Sequence, residues 1–163
     1  MRNSTRTGEW FKSLRTGILA GLLGGLTEFG WVTLCADVTG EEPRAFALGA
    51  TSAVGFRAFL PGFHAALLDV GINIAFVVVL SVVLTFVWRA IARRRNLTNP
   101  FPFMLAALTA LWFINFFVVL PIVRPGFIHL VPYSVSLASA LLLGVAIAAV
   151  VREELPRRMA TAH

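Results

Sequence analysis

Charge is what this chain has least of. Only 13% of its 163 residues are Asp, Glu, Lys or Arg, where a soluble domain carries about 25%. With 58% hydrophobic residues and a mean hydropathy of +0.81, that deficit excludes an ordinary water-exposed globular domain. Cysteine is nearly missing as well. Cys35 stands alone, which excludes an internal disulfide framework and any multi-cysteine metal site. No G-x-S-x-G, H-E-x-x-H or P-loop is found, and Ser52 and Ser134 have no evident base and acid around them. No enzyme signature is therefore found; Glu28 and Asp69 could serve as paired carboxylates, but no substrate-binding signature accompanies them. The net charge of +6 would point a soluble protein toward nucleic acid. Here the basic residues sit at the ends of apolar runs, where membrane topology explains them and nucleic acid is not needed.

What the chain does have is long apolar runs. About 20 such residues cross the hydrocarbon core of a bilayer, and four stretches qualify, at approximately 16–36, 61–88, 102–123 and 132–151. The expectation is an all-α membrane protein, four transmembrane helices in one compact bundle forming a single domain. Arg2, Arg6, Lys12 and Arg15 precede the first run in the manner of a signal peptide. That run is longer than a usual signal core, contains Glu28, and has Leu34 where a lipoprotein cleavage site wants a small residue. An uncleaved first span is expected. Residues 1–15 read as a short basic tail with Trp10 and Phe11 at the interface, and the chain beyond Glu154 as a frayed one.

Residues 44–63 hold Arg44, Arg57, three glycines and four phenylalanines. They read as an interfacial helix in the first external loop or as a re-entrant segment covered by protein. Pro61 and Pro102 suit the first turns of the second and third spans. Lys and Arg concentrate in the N-terminal tail, at 89–95 and after 151, leaving Arg44, Arg57 and Arg124 for the other side. By the positive-inside rule both termini are cytoplasmic. The expected location is a bacterial cytoplasmic membrane, crossed several times.

Polar residues inside the spans carry the functional argument. At about 1.5 Å per residue, Glu28, Asp69 and Asn115 each lie about 12 Å from the external end of their spans, with Asn73 one turn deeper than Asp69. Ser136 and Ser139 enter the same outer half, whereas the cytoplasmic half offers only Ser81, Thr85 and Thr109. The expectation is one polar layer in which Glu28, Asp69 and Asn115 converge. Two readings stay open. The layer is interhelical glue, worth about 0.6 to 2 kcal/mol per hydrogen bond, or a proton or ion site, as intramembrane acids often are.

Small residues give the packing pattern. The first span carries Gly17, Gly21 and Gly24 on the face of Glu28, Trp31 and Cys35; the fourth carries Ser136, Ala140, Gly144 and Ala148. Both stripes suit close helix approach. Trp112, Phe113, Phe116 and Phe117 form an aromatic face on the third span, expected to meet a second copy or another membrane protein. His64 and His129 fall near the external surface. They could bracket a haem or hold a metal, but two histidines lack the four-ligand company of structural zinc, so no cofactor is expected. With Arg124 they suit lipid headgroups or a partner's acidic loop.

The glycine-rich first span GILAGLLGGLTEFGW, the long external loop and the third-span ending NFFVVLPIVRPGFIH resemble bacterial inner-membrane tetraspans of the YagU and YqhR type. The resemblance covers roughly residues 17–151 and implies a tetraspan membrane protein, with no catalytic residues carried over. Two roles follow as expectations: a non-enzymatic accessory or scaffold subunit of a larger membrane assembly, or a small proton-linked transporter or channel using the carboxylate layer.

Overall fold

A computed structural model describes residues 3–39, 63–123 and 133–160. The chain there forms α1 (Asn3–Thr39), α2 (Phe63–Arg95), α3 (Phe101–Ile114), a π-helical turn (Asn115–Val119), the short α4 (Leu120–Val123) and α5 (Tyr133–Ala160). No strand occurs among the described residues. Four of these stretches, Trp10–Cys35, Val70–Arg95, Phe101–Val119 and Tyr133–Glu153, are long and apolar enough to cross a membrane. This is a multi-pass integral membrane protein, all α, as the apolar runs require.

The helices outrun the apolar stretches that announce them. α1 begins at Asn3, so the basic N-terminal segment is helical rather than a loose tail; only Gly8 interrupts its helix-compatible residues. α2 continues past Trp88 through Arg93, Arg94 and Arg95, because arginine favours helix and its charge ends the membrane crossing without ending the helix. Asn96, at φ 50°, ends it instead. The Leu97 N–H donates to the Ala92 carbonyl at 3.2 Å, a six-to-one closure that uses the left-handed residue before it. Pro100 leads into α3, where the Phe101 N–H donates to Asn99 Oδ1 at 3.2 Å and Pro102 sits in the first turn. α5 likewise runs beyond Arg152 to Ala160. Pro61 and the segment expected to lie in the interface, with Arg44 and Arg57, fall outside the described residues.

Packing is not in chain order. α1 lies against α2 on one side and α5 on the other, and α3 packs on α5. The second and third spans, although joined by a short link, meet at their loop-proximal ends, where Trp88 and Phe103 hold their rings 5.6 Å apart. The dry core lies in this half of the bundle: Ala20, Leu84, Trp88, Met104, Ile147 and Val151 are all buried. α1 is therefore the hub, and its glycines explain how. A Cβ at Gly17 would fall 2.6 Å from the Val82 Cα, and one at Gly21 only 2.5 Å from the Val78 Cα. Without a side chain at either position, the two backbones meet at a distance that only hydrogen on Cα allows.

Candidate functional site: a polar pair between the first and fourth spans

The glycine face of α1 does not meet one neighbour. Gly17 and Gly21 are taken by α2, while Gly24 faces Leu143 and Ile147 of α5. Two turns further on, Trp31 Nε1 donates to the Val135 carbonyl of α5 at 3.4 Å. These contacts fix an antiparallel register between α1 and α5, and they bracket Glu28. Glu28 follows Gly24 by four residues and Ser139 precedes Leu143 by four, so the two share one level of the seam and one pair of facing sides.

At that level the polar accounting is open on both helices. Glu28 Oε2 is buried with no hydrogen-bond partner, and so is the Ser139 hydroxyl. Serine in a helix interior ordinarily donates to the carbonyl four residues back. Thr16, Thr27 and Thr33 of α1 do so, at 2.7, 2.8 and 2.8 Å. For Ser139 that carbonyl belongs to Val135, the acceptor already engaged by Trp31. Two unmatched polar groups of complementary kind thus lie at one level of the seam, each without a hydrogen-bond partner and not bonded to the other.

The second span reaches the same level less directly. Gly17, Gly21 and Gly25 of α1 lie beside Val82, Val78 and Ile74, an antiparallel register that sets Asn73 and Asp69 about half a turn to either side of Glu28's level. Asn73 is half-buried, one turn from the buried Val77. Asp69 belongs to α2, but its side chain, like that of His64, lies outside the described residues, as do Arg124 and His129.

Asn115 departs from the expected layer. It is exposed on the outside of the third span rather than turned inward toward Glu28. The π-helical turn begins at this residue, and the inward place is taken by Phe116, which is 2% exposed with its ring 4.8 Å from that of Tyr133. The aromatic face divides in the same way. Trp112 and Phe116 turn toward α5, Phe113 remains exposed, and Phe117, though exposed, stacks on Tyr133 with ring centroids 6.0 Å apart. Trp112 Nε1 donates to Ser136 Oγ at 2.9 Å, and Gly144 receives Leu105 and Leu108. The small-residue stripe of α5 therefore serves the third span, and Ser139, Leu143 and Ile147 beside it serve the first.

The basic half of the bundle is less bare than its composition implies. Arg89 reaches across from α2 to α1, donating through Nη1 to Ser13 Oγ and through Nη2 to Thr16 Oγ1 at 2.9 Å. Ser13 and Thr16 are 4% and 0% exposed. As a sequence feature Arg89 reads only as a topology signal; the available clue is that Ser13 lies one turn before Gly17 on the same face. Ser81 and Thr85 are also buried, with hydroxyls that find no partner.

No family of proteins, no curated protein and no solved structure matches this chain.

Proposed function

We propose that this protein is a non-enzymatic accessory or scaffold subunit, docking its third span on another membrane protein of a larger assembly. The observation that supports this is Asn115. Asn115 is exposed among Leu111, Ile114, Val118 and Val119, apolar residues exposed on the same side of the helix. An amide facing hydrocarbon has no water to bond, whereas a neighbouring helix can supply a donor and an acceptor. π-Helical turns also recur at functional positions. The reading places the protein in a bacterial cytoplasmic membrane with both termini inside, on the strength of its basic ends.

The test is co-purification from native membranes in several mild detergents. One partner, or one larger subunit, is expected to stay with the wild type, to be lost from Asn115→Leu, and to be kept by Phe76→Ala, a control on the exposed face of α2. A monomer in every detergent by native mass spectrometry contradicts the reading.

The second reading, a small proton-linked transporter or channel, is favoured by a different observation: the unpartnered carboxyl oxygen of Glu28 inside the bundle. It requires the purified protein to carry protons in liposomes and Glu28→Gln to abolish that flux while folding normally.

A further inference from the structure

We propose that Glu28 and Ser139 form a proton-binding pair across the α1–α5 seam, in which carboxyl and hydroxyl exchange donor and acceptor roles. The inference deepens the proton-linked reading, yet the pair can titrate equally in an accessory subunit that moves no protons.

The chemistry follows from the inventory of each group. A protonated carboxyl has one O–H to give, and the Ser139 oxygen has lone pairs to receive it; an ionised carboxylate only accepts, and the Ser139 O–H then turns to donate. One rotation of a hydroxyl therefore serves both states without moving a helix. The proton leaves the carboxyl oxygen for water and returns by the same route. Glu28 is half-buried as a residue, and its Oε2 is covered.

The titratable neighbours on the packed elements are few, and Asp69 of α2 is the one nearest in level, about half a turn from Glu28 by the α1–α2 register. α5 carries no ionisable residue between Tyr133 and Arg152, and α2 carries none between Asp69 and Arg89. Asn73, as near in level as Asp69, cannot titrate, and the Asp69 side chain lies outside the described residues. Within α1 the nearest titratable residue is Cys35, about two turns away, followed by Asp37. Arg89 is committed to the opposite end of α1, at Ser13 and Thr16.

The pair makes different demands from a purely structural carboxyl. Infrared difference titration of the purified protein in lipid nanodiscs is expected to show a carboxylic C=O band that disappears as pH rises. Glu28→Gln removes that band. Ser139→Ala retains it at an altered frequency and midpoint, because the hydrogen-bond partner is gone, and Phe76→Ala leaves both unchanged. A band present in wild type but indifferent to Ser139→Ala overturns the pair, and so does the absence of any band assignable to Glu28.

A second measurement needs no variant. Dicyclohexylcarbodiimide, an apolar reagent that attacks protonated carboxyls, should modify Glu28 in the wild-type protein, with the yield falling as pH rises. A pH-independent yield, or protection by sodium at constant pH, overturns the assignment to a proton. Failure of liposome flux with a titrating band sinks the transport reading alone; failure of the band sinks the pair.

Discussion

Gly21→Ala adds one carbon where the α1–α2 seam has no room for it. The new Cβ would stand 2.5 Å from the Val78 Cα, 3.1 Å from its Cγ2 and 3.2 Å from the Ser81 Cβ. Carbon atoms rest at about 3.5–4.0 Å, so the helices must part by roughly 1 Å. A gap of that size forfeits about a quarter to a half of each neighbouring dispersion contact, and overpacking of this kind costs about 1–3 kcal/mol. The gain in helix propensity from glycine to alanine, about 1 kcal/mol at most, does not offset it.

The sign reverses elsewhere on the same helices. Gly30→Ala and Gly71→Ala meet nothing within 4 Å and should be neutral or mildly stabilising. Gly25→Ala meets only ordinary contacts, 3.7 Å to Ile74 and 3.8 Å to Val77. At Gly24 the obstacle is the tip of Leu143, which can rotate away, so the loss there should be smaller than at Gly21. Truncating Val78 should not rescue Gly21→Ala, because the obstacle is the Val78 Cα itself. Thermal unfolding of the six single-alanine variants at positions 17, 21, 24, 25, 30 and 71, in one detergent, provides the assay. If Gly17→Ala and Gly21→Ala unfold with Gly30→Ala and Gly71→Ala, the close α1–α2 seam is wrong.

Three further outcomes are expected. Arg89→Ala removes the donors that hold Ser13 and Thr16 and should lower stability by about 1–3 kcal/mol. Arg89→Lys should recover only part of this, since one ammonium cannot reproduce the two-pronged contact; full recovery would mean that charge alone is at work. Trp112→Phe and Ser136→Ala should each cost about 0.6 to 2 kcal/mol, and a double variant little more than either, whereas additive losses would deny the hydrogen bond between them. Cysteine at Thr98, in a Cys35→Ala background, should resist an impermeant thiol reagent in intact cells, while cysteine at Gly40 is labelled; the opposite pattern reverses the orientation.

The number and class of the helices were legible because a bilayer demands an uninterrupted apolar length, and charge marks where that length stops. Charge does not mark where a helix stops, which is why Arg93–Arg95 lengthen α2 rather than cap it. The inward turn of Glu28 was legible from the small residues on its own face. Which neighbour each small residue meets was not, because periodicity describes one helix and is silent on its partners. Gly21 and Gly24 share a stripe yet face different helices. Asn115 was misplaced for a local reason: depth and regular helical spacing put it inside, and the π-helical turn starting there gives that place to Phe116. Arg89 shows the limit from the other side, since its topological meaning concealed a clasp between two spans.

Paired cysteines offer the most direct check on the interior. In a Cys35→Ala background, the double variants Glu28→Cys with Ser139→Cys and Glu28→Cys with Asn115→Cys would be oxidised in native membranes, and intramolecular disulfides read from gel mobility and peptide mass. A bridge requires Cα atoms within about 7 Å. The register set by Gly24 against Leu143 and Trp31 against Val135 predicts rapid closure for 28 with 139 and none for 28 with 115. Closure of 28 with 115, with 28 and 139 remaining reduced, would contradict it.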